Sequence, residues 1–408
     1  MDNSTEENEE TLSYEEKYNR LLKKHNTSSA ELKKAERELK ICLSSASYRL
    51  GHLFIHETRS IKDLLKLFGR IKAIKNSRIN TGQQQISDLE GPKKTATVTA
   101  GRSSFKKGIS VLVPTYKGEK TIYRALLSLA QQDISPALYE VIVVINGEED
   151  STGQIIEQLC SEFPDLNLRV IKSRESGASL ARNLAINSAT FQYTVLLDDD
   201  DALSVTYLSS MYKLASEHAI VLSQIINIEE GVVDSSNPIN RQVLRADQFV
   251  ENAFRACPGV LTINACKLIP TAYMKLVEYD TRLGSGEDIV FFSELFSRFS
   301  FRFKIAKEAL YFRYVEKNSV SRQPVSFEFN VVERLKVIDR VYRASRQTSD
   351  KEIRYFLEQK IVAQISFINI YLQESPEAYS QVLAEIEKYH FSDFPFEMLE
   401  GSTGDKTL

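Results

Sequence analysis

From Ile109 onward, apolar residues fall in short blocks separated by stretches of helical period. Ile109–Pro114, Glu140–Ile145, Leu168–Ile171 and Tyr193–Leu197 read as strands, because each is short, rich in Val, Ile and Leu, and bounded by polar residues. Glu119–Gln132, the stretch around 152–163 and Ala178–Ala189 carry the amphipathic spacing of helices. This alternation predicts an α/β domain around a doubly wound, mostly parallel sheet, with ligands at the carboxyl ends of its strands. Polar signals collect at those ends: Pro114-Thr115-Tyr116, Asn146-Gly147, Lys172-Ser173-Arg174 and Asp198-Asp199-Asp200-Asp201. No Gly-x-Gly-x-x-Gly follows the first strand and no Walker-type Lys-Ser/Thr is present, so neither dinucleotide redox chemistry nor a P-loop is indicated.

Beyond residue 230 the pattern is less regular. It predicts helices over Ala246–Arg255, Pro270–Val277 and Asp288–Arg298, and strands over Phe301–Ile305 and Ala309–Tyr314. Residues 323–395 read as a C-terminal helical region with breaks near Gln347 and Glu374, and 396–408 as a disordered tail. Ahead of the α/β pattern, residues 1–78 read as a helical extension. Tyr14, Tyr18, Leu21, His25, Ser28, Leu32, Ala35, Leu39 and Cys42 recur at alternating spacings of four and three. That seam fits a short coiled coil, which would make the chain a homo-oligomer, or a solvated helix. Within residues 48–78, Arg49, Arg59, Lys62, Lys66, Arg70, Lys72, Lys75 and Arg78 face only Glu57 and Asp63, with apolar residues interleaved. Such a segment can lie on an anionic membrane surface or pack on its own catalytic domain. Residues 79–108 are polar and read as a linker.

The formal charge of −3 gives no reason to expect nucleic acid as a bulk partner. Neither a signal peptide nor a run of about 20 apolar residues is evident, and Cys42, Cys160, Cys257 and Cys266 form no CxxC pair. These features lead us to expect a cytoplasmic protein, peripheral at the inner membrane face if residues 48–78 bind lipid.

The candidate chemistry centres on Asp198–Asp201. An acidic run is ordinarily a solvated turn. Here it directly follows an apolar strand, where aspartates repel one another unless something positive sits among them. Mg²⁺ or Mn²⁺ takes one or two protein carboxylates and leaves its other positions to water and phosphate oxygens, so a divalent cation and a phosphate ester suit this strand end.

The ordered set of motifs resembles the family 2 glycosyltransferases of GT-A fold, over about Ile109 to Arg322. Val111-Leu-Val-Pro114-Thr115-Tyr116-Lys117-Gly118-Glu119 is similar to that family's nucleotide-binding opening strand, and Glu140–Gly147 to its second strand. Gly177-Ala-Ser-Leu-Ala-Arg182-Asn183 resembles its Gly-x-x-x-Ala-Arg-Asn helix start. Asp198-Asp199-Asp200 occupies the Asp-x-Asp position, Gly286-Glu287-Asp288 the Glu-Asp acceptor motif, and Asn318–Ser321 a frequent closing element.

The resemblance implies a nucleoside diphosphate sugar donor, UDP-sugar first, and an inverting single displacement onto a glycan or lipid-linked acceptor in cell-surface polysaccharide synthesis. It implies Mn²⁺ or Mg²⁺ held by Asp198 and Asp200, where a Lewis acid can neutralise the departing diphosphate. Donor contacts would come from Pro114, Thr115, Tyr116, Glu119, Asn146, Arg174, Arg182, Asp198 and Asp199. Asp288 would be the general base and Glu287 an acceptor-side residue. The Gly284-Ser285-Gly286 run before them suits a loop that closes over substrate. One departure concerns the base: the second strand ends in Ile145-Asn146 rather than an acidic pair, which leaves uridine specificity open. Two other classes share parts of the pattern: a sugar nucleotidyltransferase, which needs a Gly-rich basic loop after strand one, and an interaction protein working through the N-terminal helix.

Overall fold

The structure, a computed structural model, describes residues 105–315 and 324–389, together with residues 391, 395, 398 and 399. The N-terminal helix, the basic segment 48–78, most of the linker, Asn318–Ser321 and most of the tail lie outside the described residues.

The first half builds as the alternation predicts. Strand β1 (Lys106–Thr115) leads to helix α1 (Ile122–Ala130), β2 (Tyr139–Asn146), α2 (Thr152–Glu162), β3 (Leu168–Ser173), α3 (Ala178–Ser188) and β4 (Phe191–Leu196). All four strands are parallel in the order β3-β2-β1-β4. β2 is buried along its whole length because it has a neighbour on either side, whereas β3 at the edge alternates between half-buried and exposed positions.

The second half extends the same sheet. It comprises β5 (Ala202–Leu203), α4 (Tyr207–Lys213), β6 (Ala219–Glu229), β7 (Val232–Asp234), α5 (Pro238–Arg245), β8 (Phe249–Val250), α6 (Ala253–Ala256), α7 (Pro258–Leu261), β9 (Lys267–Pro270), α8 (Thr271–Met274), α9 (Glu287–Arg298) and β10 (Arg302–Tyr314). Among the described residues the sheet has ten strands, continuing past β4 as β9-β6-β10-β5. β9 runs antiparallel between β4 and β6, so β6 and β10 share the direction of the first four strands. The sheet is therefore mostly parallel with one inverted internal strand.

Several expectations are corrected here. The helix expected over Ala246–Arg255 lies earlier, at Pro238–Arg245, because Asn237 caps the Asn240 N–H and Pro238 takes the first helical position. Pro270–Val277 divides into the end of β9 and a four-residue helix. Phe301–Ile305 and Ala309–Tyr314 are one strand, joined across a register shift between Ala306 and Leu310. The buried strand β6 is one that the hydrophobic alternation does not single out, since a continuous apolar run is ambiguous between helix and strand.

After a π-helical turn at Glu328–Val332 come α10 (Glu333–Gln347), α11 (Lys351–Glu374) and α12 (Tyr379–Ile386), with breaks where the sequence puts them. Asp350 starts α11 by accepting the main-chain N–H groups of Glu352 and Ile353. Phe356 of α11 packs 5.2 Å from Phe254 and 6.3 Å from Phe296, ring centre to ring centre, so these helices share an aromatic core with the sheet domain. Among the described residues, no helix is long and apolar enough to cross a membrane. Cys257 and Cys266 are buried free thiols.

The sheet's lower end is tied by Glu140 at the start of β2. Its carboxylate accepts from Ser110 Oγ (2.6 Å), Thr190 N (2.7 Å) and Thr190 Oγ1 (2.9 Å), and pairs with Arg169 Nε (3.3 Å). Burial opposes its charge, yet these partners prevail and hold its pKa below the usual carboxylate value. A depressed folded-state pKa stabilises the fold above the unfolded pKa, and that contribution is lost as pH falls through the folded value. Glu140→Gln should therefore lower unfolding free energy by about 1–3 kcal/mol at pH 7. In urea titrations the gap from wild type should narrow below about pH 4.

Candidate active site

The strand β4 runs out through Leu197, whose N–H donates to Leu112 O of β1 (3.0 Å), and releases the four aspartates at the sheet's carboxyl edge. They do not form one solvated cluster. Asp199 turns inward, accepting a short hydrogen bond from Thr115 Oγ1 at the end of β1. Burial, with the charges of Asp200 and Asp198 added, pushes its carboxyl up to about 6 against that bond. Asp201 is buried and accepts from Tyr314 N on β10 (2.9 Å), and burial drives its pKa well above the ordinary value. Asp198 and Asp200, like Asp199, are partly exposed. The Asp198 N–H donates to Tyr311 Oη (3.2 Å), and the Asp200 carbonyl accepts from Arg124 Nη2.

The turn after β1 shapes itself to this cluster. Lys117 sits at φ 52° in the left-handed region, and Gly118 follows. A methyl group at Gly118 would run into Thr115 Oγ1 and lie 2.7 Å from Asp199 Oδ2. Only glycine permits the close approach.

Arg182, on α3, binds the two halves of the site. It is 8% exposed, with Nη2 3.4 Å from Asp198 Oδ1 and Nη1 2.9 Å from Glu287 Oε1 at the start of α9. Its guanidinium also lies over the Tyr279 ring, 5.5 Å from its centre. Asn264 completes the shell, with its carboxamide oxygen 3.2 Å from Nη2 and 3.3 Å from Nε when its NH₂ donates to Tyr279 Oη. Burial disfavours the arginine's charge, but Asp198, Tyr279, Glu287 and Asp288 outweigh it and raise the pKa above normal.

Asp288 is the next residue along α9. The helix begins after Gly286 at φ 79°, and the Asp288 carboxylate accepts from Ile289 N (2.7 Å). Acidic residues in a first helical turn are favoured by the helix dipole. Even so, burial first and the neighbouring Glu287 second push the Asp288 carboxyl up to about 6, with Ile289 N–H, Arg182 and Lys267 pulling the other way. Lys267 is itself buried, its ammonium donating to Val260 O (2.7 Å), Ala265 O (3.1 Å) and Ile263 O. A carboxylate that changes protonation near pH 6 can accept a proton under physiological conditions.

The remaining candidates take different positions. Pro114 and Thr115 close β1 at the site, while Tyr116 beyond them is 48% exposed. Glu119 ties loops together, donating from its N–H to Asp150 Oδ2 (3.3 Å) and accepting from Ser151 N (3.4 Å). Asn146 is turned inward: its Nδ2 donates to Thr115 O (2.8 Å) and its Oδ1 accepts from Gly177 N (2.9 Å). It braces β1, β2 and the start of α3. Arg174 is exposed, with no ion pair among the described residues. Lys117 pairs with Glu148 (2.7 Å) rather than with the aspartates.

Arg124 and the tyrosines of β10 are site components that sequence reasoning missed. Arg124 stacks on Tyr314, 3.6 Å from the ring centre, while holding the Asp200 carbonyl. Position along α1 carries no signal for this, because its partner lies 76 residues away.

Could the residues present hold a divalent cation? Among the described residues no group of three or more His, Cys, Asp or Glu side chains forms a protein cage. Asp201 is buried, while Asp198 at the strand end and Asp200 in the turn are partly exposed and can both turn a carboxylate oxygen to a cation. Two carboxylates with the other positions left to water and phosphate are the donor set that Mg²⁺ and Mn²⁺ use, so the residues fit.

Residues 110–275 match the family model described as glycosyl transferase family 2. Over 287 residues the chain is 27% identical to the poly(ribitol-phosphate) beta-N-acetylglucosaminyltransferase TarS of Staphylococcus aureus, covering 69% of this chain and 44% of that protein. Over 222 residues it is 24% identical to the minor teichoic acid biosynthesis protein GgaB of Bacillus subtilis, covering 53% of this chain and 24% of the relative. The chain thus spans less than half the length of these curated relatives. The crystal structure of S. aureus TarS 1-349 in complex with UDP-GlcNAc superposes with a TM-score of 0.54 at 21% identity, over 69% of this chain and 80% of that one. That likeness gives the fold, GT-A.

Gly118→Ala should break the fit between β1 and the aspartates. We expect a loss of about 1–3 kcal/mol in unfolding free energy. Calorimetry of the purified variant checks it, and a melting temperature equal to wild type would contradict the close approach.

Proposed function

We propose that this chain, a member of glycosyl transferase family 2 with the GT-A fold, moves a sugar from a nucleoside diphosphate sugar to an acceptor hydroxyl with inversion, in the building of a cell-surface glycan. One observation supports this above the others: a single buried guanidinium, Arg182, joins Asp198 at the strand end to Glu287, the neighbour of Asp288. Donor-side and acceptor-side carboxylates are thereby held at one focus. Family membership sets aside the sugar nucleotidyltransferase alternative.

Asp288 takes the proton of the acceptor hydroxyl. The freed oxygen attacks the anomeric carbon from the face opposite the diphosphate, the carbon–oxygen bond to the diphosphate breaks, and the nucleoside diphosphate departs with the bonding electrons. One displacement gives inversion, and no enzyme carboxylate becomes bonded to sugar. Asp198 and Asp200 would hold Mn²⁺ or Mg²⁺, which supplies positive charge toward the departing diphosphate. Glu287 is engaged by Arg182 and so orients the base-bearing helix start rather than accepting a proton itself.

The donor base is read from elsewhere than Asn146, whose amide braces main chain. A uridine donor is supported by the UDP-GlcNAc complex of the TarS structure, and a poly(ribitol-phosphate)-type acceptor by the similarity to TarS, with GgaB a second relative from teichoic acid biosynthesis.

UDP release from a panel of UDP-sugars in Mn²⁺ tests the reading. Asp288→Asn should bind Mn²⁺·UDP within about twofold of wild type yet turn over at least about 100-fold more slowly. The wild-type rate should rise with pH and level off above a midpoint near 6, since the base must be unprotonated to act. A rate flat from about pH 5 to 8, or an active Asp288→Asn, would remove Asp288 as the base.

A further inference from the structure

We propose that Glu333, on the C-terminal helix α10, is a positioning residue that holds the loop carrying the catalytic base, making this helical region part of the acceptor half of the active site. The inference rests on the glycosyltransferase reading of that site.

The loop in question runs from Tyr279 to Gly286 and delivers Glu287 and Asp288. Its last turn, Gly284-Ser285-Gly286, has little side chain with which to fix itself, and glycine loses the most backbone freedom on ordering. Something outside the loop must hold it. At its entry, Asn183 grips both main-chain groups of Tyr279, accepting from the N–H (2.8 Å) and donating to the carbonyl (2.9 Å). At its exit the holding comes from α10. Glu333 Oε2 accepts the Gly284 N–H at 2.9 Å, and Glu333 Oε1 is pinned by Lys336 Nζ at 2.5 Å. Arg340 Nε reaches Asp280 Oδ2 at 3.0 Å, and that carboxylate also grips Arg282 within the loop. Val337 closes on Gly286, where an added methyl would stand 2.9 Å from Val337 Cγ2.

Glu333, Val337 and Arg340 stand four and three apart, so they form one stripe of the helix, and that stripe faces the loop. The π-helical turn Glu328–Val332 directly before Glu333 sets the rotation of this stripe. Such turns recur at functional sites, where they re-aim the residues that follow. The Glu333 side chain is only 13% exposed, so the carboxylate that takes the Gly284 N–H is held largely within the protein. The bond lies four residues ahead of Asp288, close enough for its loss to displace the base.

The test compares Glu333→Ala with Glu333→Gln in the full chain. Glu333→Ala should lower kcat for UDP-sugar turnover at least about tenfold while leaving donor KM and Mn²⁺·UDP affinity within about twofold. Glu333→Gln keeps an oxygen for the Gly284 N–H and should restore most of that rate. Amide hydrogen exchange, read without substrate, should quicken in peptides covering 280–290 in Glu333→Ala and stay unchanged over 106–118 and 191–203. The proposal is overturned by unchanged exchange over 280–290, or by Glu333→Gln falling as far as Glu333→Ala. A wild-type chain that turns over no nucleotide sugar would refute the glycosyltransferase reading instead, while the exchange comparison still decides whether Glu333 holds the loop.

Discussion

A buried arginine must be surrounded by negative charge or it cannot stay charged, and this requirement on Arg182 organises the site. Asp198 and Glu287 meet the requirement from positions 89 residues apart in sequence, one at the end of β4 and the other at the start of α9. Removing either partner would leave part of a buried charge uncompensated. The fold thus has a strong reason to bring the strand end and the acceptor helix together. The proposed catalytic arrangement follows from this: Asp198 at the strand end and Glu287, the neighbour of Asp288, meet on one guanidinium.

The same electrostatics divides labour among four adjacent aspartates. Thr115 and Tyr314 draw Asp199 and Asp201 inward, where burial favours their neutral forms. Asp198 and Asp200 are partly exposed, as is Asp199, and only Asp201 is fully buried. A run that looks uniform in sequence becomes two structural carboxyls and two candidate ligands. A turn at Asp199–Asp200, closed by the Asp201 N–H donating to Asp198 O (3.1 Å), sends the four side chains in different directions.

Much of this was legible before any coordinates. Short Val/Ile-rich blocks locate β1 to β4, and the polar residues at their ends mark the carboxyl edge of a parallel sheet. Asp198–Asp201 directly after an apolar strand marks a candidate cation site, and Glu287-Asp288 declares itself as a helix start. What escaped reading depends on partners far away in the chain. Asn146 has the right chemistry to meet a base, and only the tertiary fold reveals that Thr115 O and Gly177 N–H occupy its amide. β6 hides because a buried strand and a buried helix can share one apolar run. Arg124 and Glu333 are ordinary surface-pattern residues of their helices until Asp200 and Gly284 arrive beside them.

The central claim is that the end of β4 seats a divalent cation and a nucleoside diphosphate opposite Asp288. Anomalous scattering from crystals grown with Mn²⁺ and UDP measures this most directly. The account predicts one manganese peak within coordination distance of the Asp198 or Asp200 carboxylate, with the diphosphate completing its shell. A manganese peak at Asp199, or a diphosphate bound away from this strand end with no metal beside it, would contradict it.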